Sequence, residues 1–370
     1  MFTHSRRRFA FQLTGVALAL AAASTAFAQD DASFREGKIF TSTNASSSNE
    51  LLVFAPASGG DLTLVGRVAT GGQGTSAGLG SQGAVTLSSN GQHAFVVNAA
   101  SNTVSTFMIR DHDVVLASVV DSGGLTPISV TENDGIVYVL NAGGSGNVAG
   151  FRNVQGQLRP IANSSRGLSA AGGTGPAQVG FGADGDVLVV TEKATSRITS
   201  FPVRRDGTLG SVVITPSAGA TPFGFAFDRR DHLIVSEAPG SAASSYRFAE
   251  GSAAPVLISG SVPNTQLAAC WVAVTPNGKF AFTANAGSSS VSSYSIARSG
   301  QLALVSAVAG STGANAGALD LAVSQDGRRL FALASRSLQV VSFKVEFDGS
   351  LAPLGSGSGL PAGSAGLAAN

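Results

Sequence analysis

Two glutamates stand out among the residues that could do chemistry, because each interrupts a regular series. One position recurs along the chain at the end of a short β-like segment, and its occupants in chain order are Asn44, Asn98, Asn141, Glu192, Glu237, Asn285 and Ala334. Asparagine suits the turn that follows such a segment. If the fold brings Glu192 and Glu237 together, mutual repulsion would raise the pKa of one carboxyl into a range useful for acid or base catalysis.

Lys193 directly follows the first of these glutamates. Its ammonium group could hold the oxyanion that develops when water attacks a carbonyl group. The sequence therefore predicts a catalytic group made of Glu192, Glu237 and Lys193. The alternative is that the two glutamates cap turns or form ion pairs with Lys193 and Arg197, which requires no catalytic role.

Six further residues could bind a ligand. They lie where short apolar segments begin or end, and they are Gln82, Asn141, Gln178, Cys270, Trp271 and Asp320. Their amide and carboxylate groups could hydrogen-bond a polar ligand, and the indole of Trp271 could form the floor of a pocket. The alternatives are a small buried apolar residue for Cys270, core packing for Trp271 and turn formation for Asn141.

The elements that must position these residues form a repeat. Residues 274–296, VTPNGKFAFTANAGSSSVSSYSI, hold three short strands separated by two turns. The aromatic residue that ends the third strand recurs as Phe54, Phe107, Phe151, Phe201, Tyr246, Tyr294 and Phe343. By subtraction the intervals are 53, 44, 50, 45, 48 and 49 residues, as expected for four-stranded propeller blades. The prediction is an all-β, seven-bladed β-propeller of four-stranded antiparallel blades.

A propeller places its loops on two rims of a central channel. The loops that join the second strand to the third, and the fourth strand to the next blade, share one rim, which we call the glutamate rim because it would carry Glu192 and Glu237. His93, His112 and His232 fall in turns of the opposite rim, here the histidine rim. A Ser-His-Asp or Cys-His mechanism at the glutamate rim therefore lacks its base. Since His and Cys spacing typical of a metal site is also absent, the sequence predicts no metal and no cofactor.

The two ends of the repeat array complement each other. The first blade has three strands, at residues 38–43, 51–54 and 62–68, and lacks the innermost one. The C-terminal tail, residues 359–369, carries the Pro-x-Gly and apolar pattern that opens the other blades. We therefore predict that the C-terminal strand joins blade one and closes the ring, because an open ring would leave an unpaired strand edge. The alternative is a frayed tail.

The first 28 residues predict an export signal. Arg6, Arg7 and Arg8 precede an apolar stretch at residues 16–23 and a small-x-small cleavage site at residues 26–28. The arginine motif resembles a twin-arginine signal, and the alternative is an ordinary secretory signal. We expect one propeller domain over residues 29–370, in the periplasm or secreted, without a membrane span in the mature chain.

Composition and motifs exclude several classes of function. Removal of the signal changes 23 basic and 22 acidic residues to 20 and 22, a net charge of −2, which makes nucleic acid a poor partner. The lone Cys270 excludes an intrachain disulfide. The motif Gly78-x-Gly80-x-x-Gly83 matches a dinucleotide fingerprint, but it precedes a predicted strand and no helix follows. It is therefore predicted to be a loop.

Seven segments spread over the chain carry a resemblance to a known family. They are GSQG at 80–83, YVLNAGG at 138–144, VTEK at 190–193, TPFGF at 221–225, VSEA at 235–238, AACW at 268–271 and the C-terminal tail. The sequence resembles the secreted branch of the lactonase-type seven-bladed propellers, a family that includes 6-phosphogluconolactonase-like proteins and a fungal carboxymuconate cycloisomerase. Enzymes of that family use a histidine with acidic and arginine partners, and no equivalent histidine can be placed in this chain.

The resemblance implies an exported lactonase-like hydrolase that opens a lactone or related ester of small size. Two alternatives stay open. The chain could be a non-catalytic periplasmic propeller that binds a small molecule or a protein partner, or a muconate-type cycloisomerase that uses the same carboxylates as acid and base. Turnover separates both enzymes from the binding protein, and the product separates the enzymes from each other.

Overall fold

The computed structural model describes Met1 and residues 37–370, so the predicted export signal lies outside the described residues. That part of the chain consists of β-strands, turns and a single 3-10 segment, Ser58–Gly60. Frequent Gly, Asn and Ser turns separate segments of two to ten residues, most of them rich in Val, Ala, Leu and Phe, which is why strands form in place of helices. Among the described residues, no helix is long and apolar enough to cross a membrane.

The strands follow one another as antiparallel neighbours within each blade. Blades one and two contain β1 (Ile39–Ser42), β2 (Glu50–Pro56), β3 (Leu62–Ala69), β4 (Val85–Leu87), β5 (His93–Asn98), β6 (Thr103–Ile109) and β7 (Val114–Asp121). Blades three and four contain β8 (Pro127–Asn133), β9 (Ile136–Asn141), β10 (Asn147–Val154), β11 (Gln157–Pro160), β12 (Arg166–Gly167), β13 (Pro176–Phe181), β14 (Val187–Glu192), β15 (Arg197–Pro202) and β16 (Val213–Pro216). Blades five and six contain β17 (Pro222–Phe227), β18 (His232–Glu237), β19 (Ala242–Phe248), β20 (Pro255–Pro263), β21 (Ala269–Val274), β22 (Phe280–Asn285), β23 (Ser290–Ile296) and β24 (Leu302–Ser311). Blade seven contains β25 (Ala318–Val323), β26 (Arg329–Ala334), β27 (Gln339–Val345) and β28 (Leu351–Ser358), and the last strand is β29 (Ala365–Ala369).

These strands form seven sheets, and the predicted seven-bladed propeller is confirmed. Six sheets have four strands, and in the third blade the outermost strand is divided into β11 and β12, which both pair with β10. The aromatic residue that marks each third strand is buried in all seven blades. It packs against the preceding blade, as Phe201 does against Leu140 in one cluster and Phe54 against Phe331 in another. The hydrophobic core is therefore a ring of contacts between neighbouring blades.

The predicted ring closure is also confirmed. Strand β29 pairs antiparallel with β1 and becomes the innermost strand of blade one, with Ile39 opposite Ala369 and Ser42 opposite Ala365. Leu360 and Leu367 are buried in the same cluster as Ile39 and Phe331. The two ends of the array thus share one sheet, and the frayed tail is not observed.

Candidate functional site

Residues 78–83 cross the mouth of the channel at the glutamate rim, and we call them the channel strap. The Gln82 side chain donates a hydrogen bond to the Val272 carbonyl oxygen at 2.7 Å and accepts one from the Val272 N–H at 2.9 Å. The Gln82 N–H donates to the Ala177 carbonyl oxygen at 3.0 Å. Val272 lies in blade six and Ala177 in blade four, and neither blade is next to blade two. The strap therefore spans the axis, and its glycine motif is a loop, as predicted.

The strap requires a glycine in the inner strand of blade five. A Cβ atom on Gly224 would lie 2.1 Å from Gln82 Oε1 and 2.7 Å from the Cys270 carbonyl oxygen. Both distances are too short for any side chain, because a carbon atom needs more than 3 Å. Gly224 thus leaves the space through which the Gln82 side chain reaches blade six.

Lys193 reaches the strap from blade four. Its Nζ donates a hydrogen bond to the Gly80 carbonyl oxygen and lies 4.9 Å from the centre of the Phe223 ring. The Phe223 and Trp271 rings are 4.9 Å apart at an angle of 56°. Trp271 Nε1 donates to the Ser81 carbonyl oxygen at 2.9 Å. The strap therefore gathers one ammonium group and two aromatic rings at the channel mouth.

Burial shifts the pKa values of Lys193 and Cys270 toward the neutral form of each side chain. It lowers the pKa of Lys193, against the opposing influence of Cys270. It raises the pKa of the Cys270 thiol to about 12, although Lys193 acts in the other direction. Cys270 is therefore a neutral thiol at physiological pH and a weak nucleophile. The partly dehydrated ammonium of Lys193 attracts an anion more strongly than an exposed one would.

Two other predicted ligand residues, Gln178 and Asp320, form hydrogen bonds that join blades in the channel wall. The Gln178 side chain donates to the Phe225 carbonyl oxygen at 3.0 Å and accepts from the Phe225 N–H at 2.7 Å, so it joins blade four to blade five. The buried Asp320 carboxylate accepts hydrogen bonds from the N–H groups of Gly366, at 3.2 Å, and of Gly83. Asp320 therefore joins blade seven to the closing strand and to the strap.

We expect Asp320 to make the stability of the fold depend on pH. Burial raises the pKa of this carboxyl to about 7, against the hydrogen bonds that lower it, whereas an exposed aspartate titrates near pH ~3.9. The native protein thus holds the proton more tightly than the unfolded chain. This contribution to stability is complete below pH ~4 and is lost as the pH rises through ~7. The total loss in the free energy of unfolding is on the order of 4 kcal/mol.

The test compares the melting temperatures of the wild type and Asp320→Asn at pH 5 and pH 8. The wild type should lose more stability than the variant between these two values, because the amide does not titrate. Asp113→Asn, which changes an exposed aspartate, serves as the control. Equal losses in the wild type and Asp320→Asn would contradict the assignment.

The two glutamates are buried where neighbouring blades meet, and among the described residues neither has a hydrogen bond to the strap. Glu192 is fully buried. It accepts hydrogen bonds from the Ser169 N–H at 2.9 Å, from the Ser169 hydroxyl, and from the Thr195 and Thr199 hydroxyls at 2.7 Å each. Glu237 is 1% exposed and accepts from the Gly219 N–H at 2.9 Å. No hydrogen bond among residues 37–370 joins the two carboxylates.

The same contact recurs around the ring and explains the series of asparagines. In blades two to six the residue that ends the second strand binds the linker that arrives from the preceding blade. The pairs are Asn98 with Thr70, Asn141 with Ser122, Glu192 with Ser169, Glu237 with Gly219, and Asn285 with Asn264. This favours the turn-capping interpretation of both glutamates, and catalysis by them stays a prediction.

The structure thus divides the predicted site residues into two sets. Gln82, Lys193, Cys270 and Trp271 meet at the strap, and Gln178 and Asp320 lie in the channel wall below it. Glu192, Glu237 and Asn141 each lie within a separate contact between blades. Binding roles for the first set remain predictions.

The reasoning from sequence missed the strap and the place of Phe223 beside Lys193. One signal was available. The interval from Phe54 to Phe107, 53 residues by subtraction, is the longest in the series, and it contains the extended linker between β3 and β4. Extra length in one linker indicates a segment with its own role.

Two cavities lie on the histidine rim. One, of about 620 Å³, lies between the turns of blades two and seven, next to the place where β29 pairs with β1 in blade one. The other, of about 410 Å³, lies between blades three and four. Neither is lined by a predicted site residue, so these two cavities and the predicted chemistry lie on opposite rims of the propeller.

Fold and channel mouth together define a propeller whose channel is crossed at one rim by a strap beside a half-buried lysine. Residues 128–254 and 242–368 match the family described as Lactonase, 7-bladed beta-propeller. The matched residues span more than half of the chain, and the chain belongs to this family. No curated protein sequence matches it significantly.

Several solved structures share the fold. A protein from Lactobacillus plantarum superposes with a TM-score of 0.74 at 16% identity, over 90% of this chain and 99% of that one. A protein from Bacteroides fragilis, provisionally named a 6-phosphogluconolactonase, gives 0.72 at 17% identity, over 90% and 98%. The periplasmic gluconolactonase PpgL of Pseudomonas aeruginosa gives 0.68 at 16% identity, over 89% and 98%. At these identities the likeness concerns the fold.

Proposed function

We propose that the protein is a lactonase-like hydrolase that opens a lactone at the glutamate rim, beside Lys193. The observation that carries the proposal is the half-buried ammonium at the channel mouth, held between the Gly80 carbonyl oxygen and the Phe223 ring. Membership of the lactonase family and the names of two structures that share the fold support the choice of substrate class.

The proposed chemistry is electrostatic. Attack of water on the lactone carbonyl carbon forms a C–O bond and places negative charge on the carbonyl oxygen. Cleavage of the ring C–O bond then leaves a hydroxy acid, because the departing ring oxygen takes up a proton from the attacking water. An ammonium has three N–H donors, and Gly80 accepts from one of them. The other two can stabilise first the oxyanion and then the carboxylate of the product. The Phe223 and Trp271 rings offer an apolar wall beside the reacting ester.

We further propose that this domain works outside the cytoplasm. Residues 1–28 would direct export, and residues 29–370 would form the mature propeller. The arginine pattern of the first residues supports this, and a protein that shares the fold is named a periplasmic gluconolactonase. Retention of an Arg6→Lys/Arg7→Lys variant in the cytoplasm, with the wild type in the periplasm, is the expected result of cell fractionation.

Binding without turnover is the second candidate function. The saturated hydrogen bonding of Glu192 favours it, because this carboxylate has no evident access to a substrate water. On this view the strap and Lys193 would hold an anionic or ester ligand that the protein does not convert.

A pH-indicator screen tests the two functions against each other. The mature protein, residues 29–370, is assayed with sugar lactones, aliphatic lactones and aryl esters, beside Glu192→Gln/Glu237→Gln. We expect hydrolysis of at least one lactone, and we expect the double variant to retain it because its glutamates serve contacts between blades. Loss of turnover in a folded double variant would support catalysis by the glutamates. Absence of turnover across the panel would favour the binding protein.

A further inference from the structure

The channel strap is anchored on both sides of Gly80, whereas Gly80 itself has few contacts. On the N-terminal side, the Asn44 side chain donates a hydrogen bond to the Ala77 carbonyl oxygen at 2.7 Å. On the C-terminal side, Gln82 forms three hydrogen bonds with blades four and six. Among the described residues, the contact with Lys193 is the sole hydrogen bond of Gly80. The position of the Gly80 carbonyl oxygen therefore depends on the residues that flank it.

Gln82 is the nearer of these two anchors, because it follows Gly80 by two residues. Its side-chain oxygen accepts from the Val272 N–H at 2.9 Å, and its side-chain nitrogen donates to the Val272 carbonyl oxygen at 2.7 Å. Hydrogen bonds are directional, so two of them to one residue fix the orientation of the side chain as well as its distance. Both polar atoms of the Gln82 side chain thus already have a partner within the protein.

The Gly80 carbonyl oxygen selects one position for the Lys193 ammonium. A lysine ammonium ends a flexible four-carbon stem and can take many positions when nothing holds it. Here Nζ donates to the Gly80 carbonyl oxygen and lies 4.9 Å from the centre of the Phe223 ring. A displacement of about 1 Å of a reacting group can cost roughly 10²-fold in rate. A strap that holds Gly80 in place would therefore also hold the ammonium in place.

Gln178 makes the same type of contact at another point of the channel wall. Its side chain donates to the Phe225 carbonyl oxygen at 3.0 Å and accepts from the Phe225 N–H at 2.7 Å. This contact joins blades four and five, and among the described residues the Gln178 side chain has no hydrogen bond to the strap. Gln178 and Gln82 are both half-buried. The two glutamines therefore allow the loss of a contact between blades to be separated from the loss of the strap anchor.

We propose that Gln82 is a positioning residue for the reaction at the channel mouth. By fixing the strap to blade six it holds the Gly80 carbonyl oxygen, and Gly80 in turn holds the Lys193 ammonium beside the Phe223 ring. Gln82 would not contact the lactone. Since Lys193 acts in the function proposed above, this role of Gln82 rests on that function, but the environment of the ammonium can be measured without any substrate.

Acetylation of Lys193 by acetic anhydride, followed by mass spectrometry over a range of pH, reports the pKa of its ammonium without turnover. In the wild type we expect a midpoint below the ordinary lysine value of about 10.4, because burial lowers the pKa of Lys193. In Gln82→Met the released strap should expose the ammonium to water, so the midpoint should rise towards the ordinary value. Gln178→Met is the matched control and should keep the wild-type midpoint. Cys270, which opposes the effect of burial on Lys193, is present in both variants.

Lactone hydrolysis by the same samples tests the catalytic part. Gln82→Met should lower kcat by up to about 10²-fold, with a smaller change in KM because the Phe223 and Trp271 rings remain. Gln178→Met should keep a kcat close to that of the wild type. A merely structural role of Gln82 would lower the melting temperatures of both variants alike and leave kcat per folded molecule unchanged.

Three results would overturn the role of Gln82. The first is a wild-type midpoint at the ordinary lysine value, a result that requires no variant to fold. The second is the same midpoint in Gln82→Met and Gln178→Met, and the third is the same kcat in both. If no sample hydrolyses a lactone but the midpoint responds to Gln82→Met alone, the function proposed above is wrong, and with it the catalytic part, whereas the hold of the strap on Lys193 stands.

Discussion

Removal of residues 360–370 should leave the protein insoluble or unfolded. The deletion takes away β29, which is the innermost strand of blade one, together with the buried Leu360 and Leu367. Each leucine contributes about 1.5–3 kcal/mol by burial, and the lost pairing exposes the edge of β1. A typical domain has only about 5–15 kcal/mol of stability in total. The deletion therefore removes a large share of it.

Expression of the truncated chain and thermal melting of any soluble fraction measure the effect. Leu367→Ala is the graded control, because it keeps the strand pairing and removes only one buried side chain. We expect this variant to remain soluble with a lowered melting temperature. A truncated protein that melts at the wild-type temperature would contradict the role of β29.

The architecture could be predicted because each blade carries its own local signals. The buried aromatic of the third strand recurs in all seven repeats, and the turn between the first two strands recurs in every blade except blade one. Both features depend on neighbours close in sequence. Ring closure could be predicted from the number of strands, because blade one lacked one strand and the C-terminal tail supplied it. These features can be read from the sequence without knowing which distant blades contact each other.

The candidate site could be predicted only in part. The rim that carries Glu192 and Glu237 follows from the strand order, but the direction of their side chains depends on linkers from the preceding blade, through Ser169 and Gly219. The strap was missed because its hydrogen bonds join Gln82 to Val272, 190 residues away. No local pattern specifies a contact across the axis.

Replacement of Lys193 by methionine should have the largest effect on catalysis. Methionine keeps a similar apolar length beside Phe223 but removes the ammonium that would stabilise the oxyanion. Loss of one such donor reduces turnover by about 10²–10³-fold in enzymes of known mechanism. We expect a loss of this size in kcat/KM, with little change in melting temperature because the variant retains the packing.

Lys279→Met is the matched control. Lys279 lies in an exposed turn on the histidine rim, so this variant removes the same charge at the far end of the channel. It should hydrolyse the lactone at the wild-type rate. A similar loss of activity in both variants would indicate a general effect of charge and would remove the special role of Lys193.

On the proposed function, Lys193 supports lactone hydrolysis at the strapped channel mouth. The most direct measurement is the initial rate of acid release from an unphosphorylated sugar lactone by the wild type, Lys193→Met and Lys279→Met, each corrected for spontaneous hydrolysis. We expect activity in the wild type and Lys279→Met and its near-complete loss in Lys193→Met. Wild-type activity in folded Lys193→Met would contradict it.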